Sequence, residues 1–162
     1  MSIFAQIEGI KGESSDSGHS GWMDIHSINW GVGRKITSNS STAGDRESSN
    51  AVISDLQITR LMDSATPKLF IESCCGTGKE IKIHLTKTGT GSGADIFMEY
   101  SLKNAIISNY SVNASAEDSG RPMETLTVSF VDLEVKYTPY DEDGSAEAAI
   151  AVGFDTSTNT KR

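Results

Sequence analysis

The sequence predicts a mainly β domain, a sandwich or small barrel, carrying one short helix. Three observations support this. The chain has 15 Gly against 3 Pro and only 36% hydrophobic residues, a polar and turn-rich composition. Apolar and polar residues alternate in short runs, most cleanly at Ile81, Ile83 and Leu85 and at Leu126, Val128 and Phe130, the period of a strand with one buried face. A single segment carries helix punctuation at both ends, from Thr66-Pro67 to Gly76.

In chain order, residues 3–10 read as a first strand limited by Gly9, and KGESSDSGHSG over 11–21 as a loop. Residues 22–31 read as one strand, with Met23, Ile25, Ser27 and Asn29 on one face and Trp22, Asp24, His26, Ile28 and Trp30 on the other. Residues 37–50 hold no apolar side chain larger than Ala and read as a long surface loop. Strand character resumes over 51–62. Thr66 is then read as N-cap, Pro67 as first helical residue and Gly76 as the stop, with Leu69, Phe70 and Cys74 facing the core. A strand over 81–87, a Gly-rich turn over 88–94 and a long strand holding Ile96 to Ile106 follow. After a polar turn, the apolar phase set by Leu126, Val128 and Phe130 slips to Val131, Leu133, Val135 and Tyr137. Such a slip predicts a bulge, or a bend that carries the chain between two sheets. A short strand over 150–154 precedes a flexible polar tail over 155–162, leaving a single domain over 1–154. The tally is about seven strands.

At 162 residues the chain is of single-domain length. With 14 Lys+Arg against 22 Asp+Glu the net charge is −8, which argues against nucleic acid or an anionic membrane surface as partner. No apolar run is long enough for a membrane-spanning helix. The N-terminus lacks the basic and apolar regions of a cleaved signal peptide. Cys74 and Cys75 are adjacent, and neighbouring Cα atoms about 3.8 Å apart lie closer than a disulfide prefers. They read as small buried hydrophobes in a reduced, cytoplasmic compartment.

No chemical motif is complete. His19, His26 and His84 show no metal-ligand spacing, and His84 reads as the solvated side of its strand. Residues 73–80, SCCGTGKE, have Ser73 and Glu80 where a phosphate-binding loop needs Gly and a hydroxyl, and they follow a helix rather than a strand. Asp16, His19 and Ser20 share a loop without an orienting scaffold for a hydrolytic triad. Asp141-Glu142-Asp143-Gly144 lacks the alternating ligands and distal Glu of a calcium loop and reads as a solvated turn. The residues point to neither an enzyme nor a cofactor, but to an acidic β domain acting through its surfaces.

Several blocks stand in a characteristic order along the chain. They are Lys11-Gly12-Glu13-Ser14 and His19, then residues 25–31 ending in Trp30-Gly31. Leu56-Gln57-Ile58-Thr59-Arg60 and Asp63-Ser64-Ala65-Thr66-Pro67-Lys68-Leu69 follow, and then Glu124, residues 128–130 and Tyr137. By their order and spacing, not by any one block, residues 3–137 resemble the haemolysin-coregulated protein (Hcp) family, which supplies the inner tube of the bacterial type VI secretion system. The chain departs from that family at residues 38–50, at the paired cysteines and after Tyr140.

The resemblance implies a small β-barrel of two sheets with one flanking helix. It implies hexameric rings stacking into a hollow tube, with sheath and spike proteins as partners and effector proteins in the lumen. It implies no catalysis, no cofactor and no metal, and cytoplasmic synthesis followed by secretion without a cleaved signal. On this basis Ser27 and Asn29 are expected to face the lumen, the competing reading being that they face bulk solvent or pair across the sheet. Asp45, Arg46 and Glu47, the only charges of the 38–50 loop, are expected at contacts between rings. Pro67, Leu69 and Phe70 are expected to make a structural helix with both apolar side chains packed on the barrel. The rival reading is a monomeric barrel binding a small ligand in an enclosed pocket. A fused toxin is disfavoured, since only about 20 residues follow the barrel, too few for a catalytic domain.

Overall fold

A computed structural model describes residues 1–38, 46–89 and 93–162. In order the elements are β1 (Ser2–Ile7), β2 (Met23–Ile25), β3 (Ser27–Asn29), β4 (Val32–Gly33), β5 (Ile36–Ser38), β6 (Arg46–Ser48), β7 (Val52–Ile53) and β8 (Leu56–Leu61). Then come α1 (Thr66–Cys75), β9 (Lys79–Thr88), β10 (Ala94–Asn113), β11 (Met123–Ser129), β12 (Asp132–Tyr137), β13 (Ile150–Asp155) and β14 (Thr160–Lys161).

The fold is mainly β, with two antiparallel sheets joined through β10. The first half of β10 pairs β9 and β12, extending through β1 to β2 on one side and through β13 to β14 on the other. Its second half pairs β11, which leads through β8 to β3. The chain turns between the halves near Asn104, whose φ of 50° and the register shift between Leu102 and Ala105 mark the bend. The ladder stops short of a closed barrel: among the described residues β2 pairs only β1, and β3 only β8. The core lies between the sheets. Ala5, Ile83 and Leu102 face Leu56, Ile58, Leu126 and Val128, all without exposed surface.

Two phase changes mark passages between sheets. Residues 130–131 separate β11, in the second sheet, from β12, in the first, as the slip predicted. The single strand expected over 22–31 is instead two, broken at His26, whose N–H donates to Thr59 O at 2.8 Å. Met23 and Ile25 are buried before the break, whereas Ile28 and Trp30 pack on the core after it. The parity reverses because the chain leaves the first sheet for the second. Strand character over 51–62 likewise divides into β7 and β8.

Helix α1 lies against β10 and departs from expectation at both ends. Ala65, not Thr66, is the N-cap. Thr66 Oγ1 accepts the Asp63 N–H at 3.2 Å, and Asp63 accepts the Ala65 N–H at 2.8 Å. Pro67 sits in the first turn, but second in the helix, after Thr66, rather than first. Gly76 is extended at φ −69° and donates its N–H to Glu72 O at 2.9 Å. Leu69 is buried, but Phe70 is 54% exposed and meets Tyr110 in a T-shaped pair, with ring centres 6.3 Å apart. Consecutive helical residues point about 100° apart, so one shallow contact cannot bury both. Cys74 and Cys75 are exposed, not buried. Residues 155–162, expected as a flexible tail, form the β13–β14 hairpin, and the Arg162 guanidinium bonds the Asp132 carboxylate.

Candidate interaction surfaces

Alternation in the second sheet sends Leu56, Ile58, Leu126 and Val128 inward. The opposite parity therefore builds the outer face. It holds Ser27 and Asn29 on β3, Gln57 and Thr59 on β8, Thr125 and Thr127 on β11, and Asn109 and Ser111 on β10, which register opposite one another. The Ser27 and Thr59 hydroxyls bond across the strands. Ser27 and Asn29 are thus exposed and paired across the sheet at once. These side chains are hydroxyls and amides without net charge, so the face is wettable yet attracts neither sign of ion. The sequence reading found only the β3 members. The remaining signal was present in the alternating Q-x-T and T-x-T of β8 and β11.

The second surface is a two-stranded ribbon. Val32 pairs Ile53 and Gly33 pairs Val52 in β4–β7, while Ile36–Ser38 pairs Arg46–Ser48 in β5–β6. Serine hydroxyls bridge the gaps: Ser54 Oγ accepts the Gly31 N–H and Ser49 Oγ the Lys35 N–H, both at 2.8 Å. Residues 37–50, expected as a long surface loop, therefore begin in β5 and include β6 at Arg46–Ser48. Arg46 and Glu47 lie on β6, and Asp45 lies outside the described residues. The ribbon exposes Val32 (61%), Val52 (70%) and Ile36. Between its base and β12–β13 runs an apolar groove of about 340 Å³, walled by Trp30, Ile53, Leu133, Val135, Val152 and Phe154. Exposed apolar surface gathered on a projecting arm and an adjoining groove suits contact with another protein.

The other sequence candidates resolve differently. Asp16 bonds His19 at 2.7 Å, but the second His19 nitrogen meets His84 rather than Ser20, so no triad forms. His84, expected on a solvated face, is largely covered by Trp22 and His19. Among the described residues no cluster of His, Cys, Asp and Glu is arranged to hold a metal ion. Asp141 Oδ1 accepts N–H groups from Asp143 and Ser145 at 2.9 and 2.8 Å, which makes that run a capped turn.

Glu124, buried beside Arg60, was missed as a structural centre. It accepts from the Arg60 guanidinium, from Tyr110 OH at 2.6 Å and from Thr66 Oγ1 at 3.2 Å. Burial first, then the bond and charge of Glu124, pushes the Tyr110 phenol up to about 12.

A family model described as "Type VI secretion system effector, Hcp" matches residues 4–137. Protein hcp1 of Pseudomonas aeruginosa is 26% identical over 150 residues, spanning 91% of this chain and 89% of that protein. A solved "type six secretion system protein" superposes with a TM-score of 0.90 at 26% identity, over 99% of both chains. The crystal structure of Hcp1 from Salmonella typhimurium shares the fold, with a TM-score of 0.79 at 22% identity over 99% and 98% of the two chains.

Proposed function

The chain belongs to the Hcp family of type VI secretion tube proteins, and on that premise we propose that it forms hexameric rings that stack into a hollow, expelled tube holding effector proteins. The observation that carries the lumen assignment is the uncharged face of the second sheet. A wall that holds and then releases unrelated proteins must stay wetted without gripping either charge sign, and Ser27, Asn29, Gln57, Thr59, Thr125 and Thr127 supply that surface. A ring needs two different patches that close on rotation. The arm with Val32 and Val52 is taken as one such patch, reaching a neighbouring subunit, and Arg46 and Glu47, on β6 of the same arm, are assigned to contacts with the next ring. The family supplies a structural tube rather than an enzyme. The sheath and spike proteins and the lumen cargo are its partners, and synthesis in the cytoplasm precedes secretion.

Support for this reading over a monomeric ligand barrel comes from the interior. The sheets close on fully buried Leu56, Ile58, Ile83, Leu102 and Leu126, which fill the space a bound ligand would need. Light scattering on a sizing column tests assembly: a hexamer mass is expected, and a monomer at high concentration overturns it. Asn29→Arg is expected to keep the hexamer and lower retention of a co-expressed effector. Loss of the ring in that variant would place Asn29 at a subunit contact instead. Deleting residues 40–48 is expected to shorten tubes in micrographs, and tubes of unchanged length would refute the stacking role.

A further inference from the structure

Five titratable side chains run in a line across the first sheet, outside the surfaces assigned above. Asp16 Oδ2 lies 2.7 Å from His19 Nδ1, and His19 Nε2 lies 2.9 Å from His84 Nδ1. His84 Nε2 lies 3.3 Å from Glu99 Oε1, and Glu99 Oε2 lies 3.1 Å from Lys136 Nζ. The 11–21 loop supplies Asp16 and His19. His84, Glu99 and Lys136 come from β9, β10 and β12, registered side by side. The rings are held in place. Phe4 stacks on His19 at 4.4 Å, and Trp22 packs on both imidazoles at 4.8 and 4.5 Å. His19 is 1% exposed.

The three contacts from Asp16 to Glu99 each need one proton, and ionised carboxylates bring none. A neutral imidazole carries one N–H, so two neutral rings fill two contacts. One excess proton on the pair fills all three. A second excess proton puts N–H on every ring nitrogen. His19 Nε2 and His84 Nδ1 would then face each other as two donors, each on a cation.

We propose that the His19–His84 contact is an acid-sensitive latch, holding the 11–21 loop on β9 while the pair carries at most one excess proton and releasing it when a second binds. Every charged group facing His84 has a defined effect. Glu99 favours a proton on His84, whereas His19 from the loop, Lys82 from β9 and Lys136 from β12 oppose it. Burial is the largest influence and also opposes it, so His84 is held below its ordinary value of 6.5. The unfolded chain therefore binds this proton more readily than the fold, and the latch loses stability as pH falls below 6.5. The proposal is independent of the tube reading.

The test is histidine side-chain ¹⁵N NMR on the full chain through an acid titration, with amide exchange of His19 and Gly21 followed in parallel. The wild type is expected to titrate the two rings in coupled steps. After correction for intrinsic exchange, loop exchange should rise about tenfold with the second step, a change of about 1.4 kcal/mol. In His84→Gln the side-chain amide can donate to a neutral His19 or accept from a charged one, so the rise should vanish. Glu99→Gln, which keeps both rings, should move the rise to lower pH. Independent titration of the two rings without a change in loop exchange, or an undiminished rise in His84→Gln, would overturn the latch.

Discussion

Replacing Glu124 by alanine removes the acceptor at the centre of the Arg60 network while leaving the guanidinium where water cannot reach it. Arg60 is 1% exposed and Glu124 fully buried. Breaking a buried ion pair by deleting one partner costs about 3–5 kcal/mol, mostly from the charge left behind. Asp63 stays 2.6 Å from Arg60 Nη2 and compensates part of that charge, which puts the expected loss near the lower bound, about 3 kcal/mol. For a chain of this length each kcal/mol shifts the melting temperature by about 2–4 °C, so a fall of about 6–12 °C is expected. Thermal and denaturant unfolding should be run at fixed protomer concentration, because the proposed assembly would add its own stabilisation. Asp63 is itself nearly buried against Arg60, so the triple replacement Arg60→Met, Glu124→Leu and Asp63→Asn, which removes all three charges, should recover much of the loss. An unchanged midpoint in Glu124→Ala, or a triple variant as unstable as the single one, would refute the stranded-charge reasoning.

Other substitutions probe separate parts of the fold. Leu69→Ala should destabilise by about 2–5 kcal/mol, whereas Phe70→Ala, at a position more than half exposed, should cost less, about 1 kcal/mol; chemical denaturation separates them. Gly12→Ala would place a methyl 2.5 Å from Trp22 O and 2.7 Å from Met23 Cγ, an overpacking expected to cost about 1–3 kcal/mol in the same assay. The Tyr110 phenol, at 10.0 when unfolded and about 12 in the fold, stabilises below pH 10 and loses that contribution as pH climbs to about 12. Tyrosinate absorbance should show its midpoint fall toward 10 in Glu124→Gln, and an unmoved midpoint would exclude Glu124 as a contributor.

Period-two patterning made the long strands legible, because β8, β9 and β11 each bury one face. The sheet change after Phe130 was legible for the same reason: a parity slip is covalently written. The break at His26 was hidden because Met23, Ile25, Ile28 and Trp30 can be read as a single strand with either face inward. The ribbon escaped because its β4 and β7 rungs are two residues long, too short for any periodicity. Phe70 was misplaced because apolar identity says nothing about how much of a helix its neighbour covers. The His19–His84 contact joins residues 65 positions apart, and no local pattern announces such a pair. The polar face was half legible: Ser27 and Asn29 stand out in sequence, but their continuation across β8, β11 and β10 depends on strand order.

Strand β10 runs unbroken for 20 residues through both sheets, with a mechanical consequence. Most two-sheet domains separate under tension when side-chain packing and a connecting loop give way. Here the sheets share one polypeptide segment, zipped to β9 and β12 on one side of Asn104 and to β11 on the other. Pulling the sheets apart therefore loads the covalent backbone of β10 and shears rows of hydrogen bonds together instead of peeling them one at a time. On the proposed tube reading, in which the subunit is driven forward as part of a column, the seam between the sheets is its reinforced member, and the singly zippered β13–β14 margin is where yielding should begin.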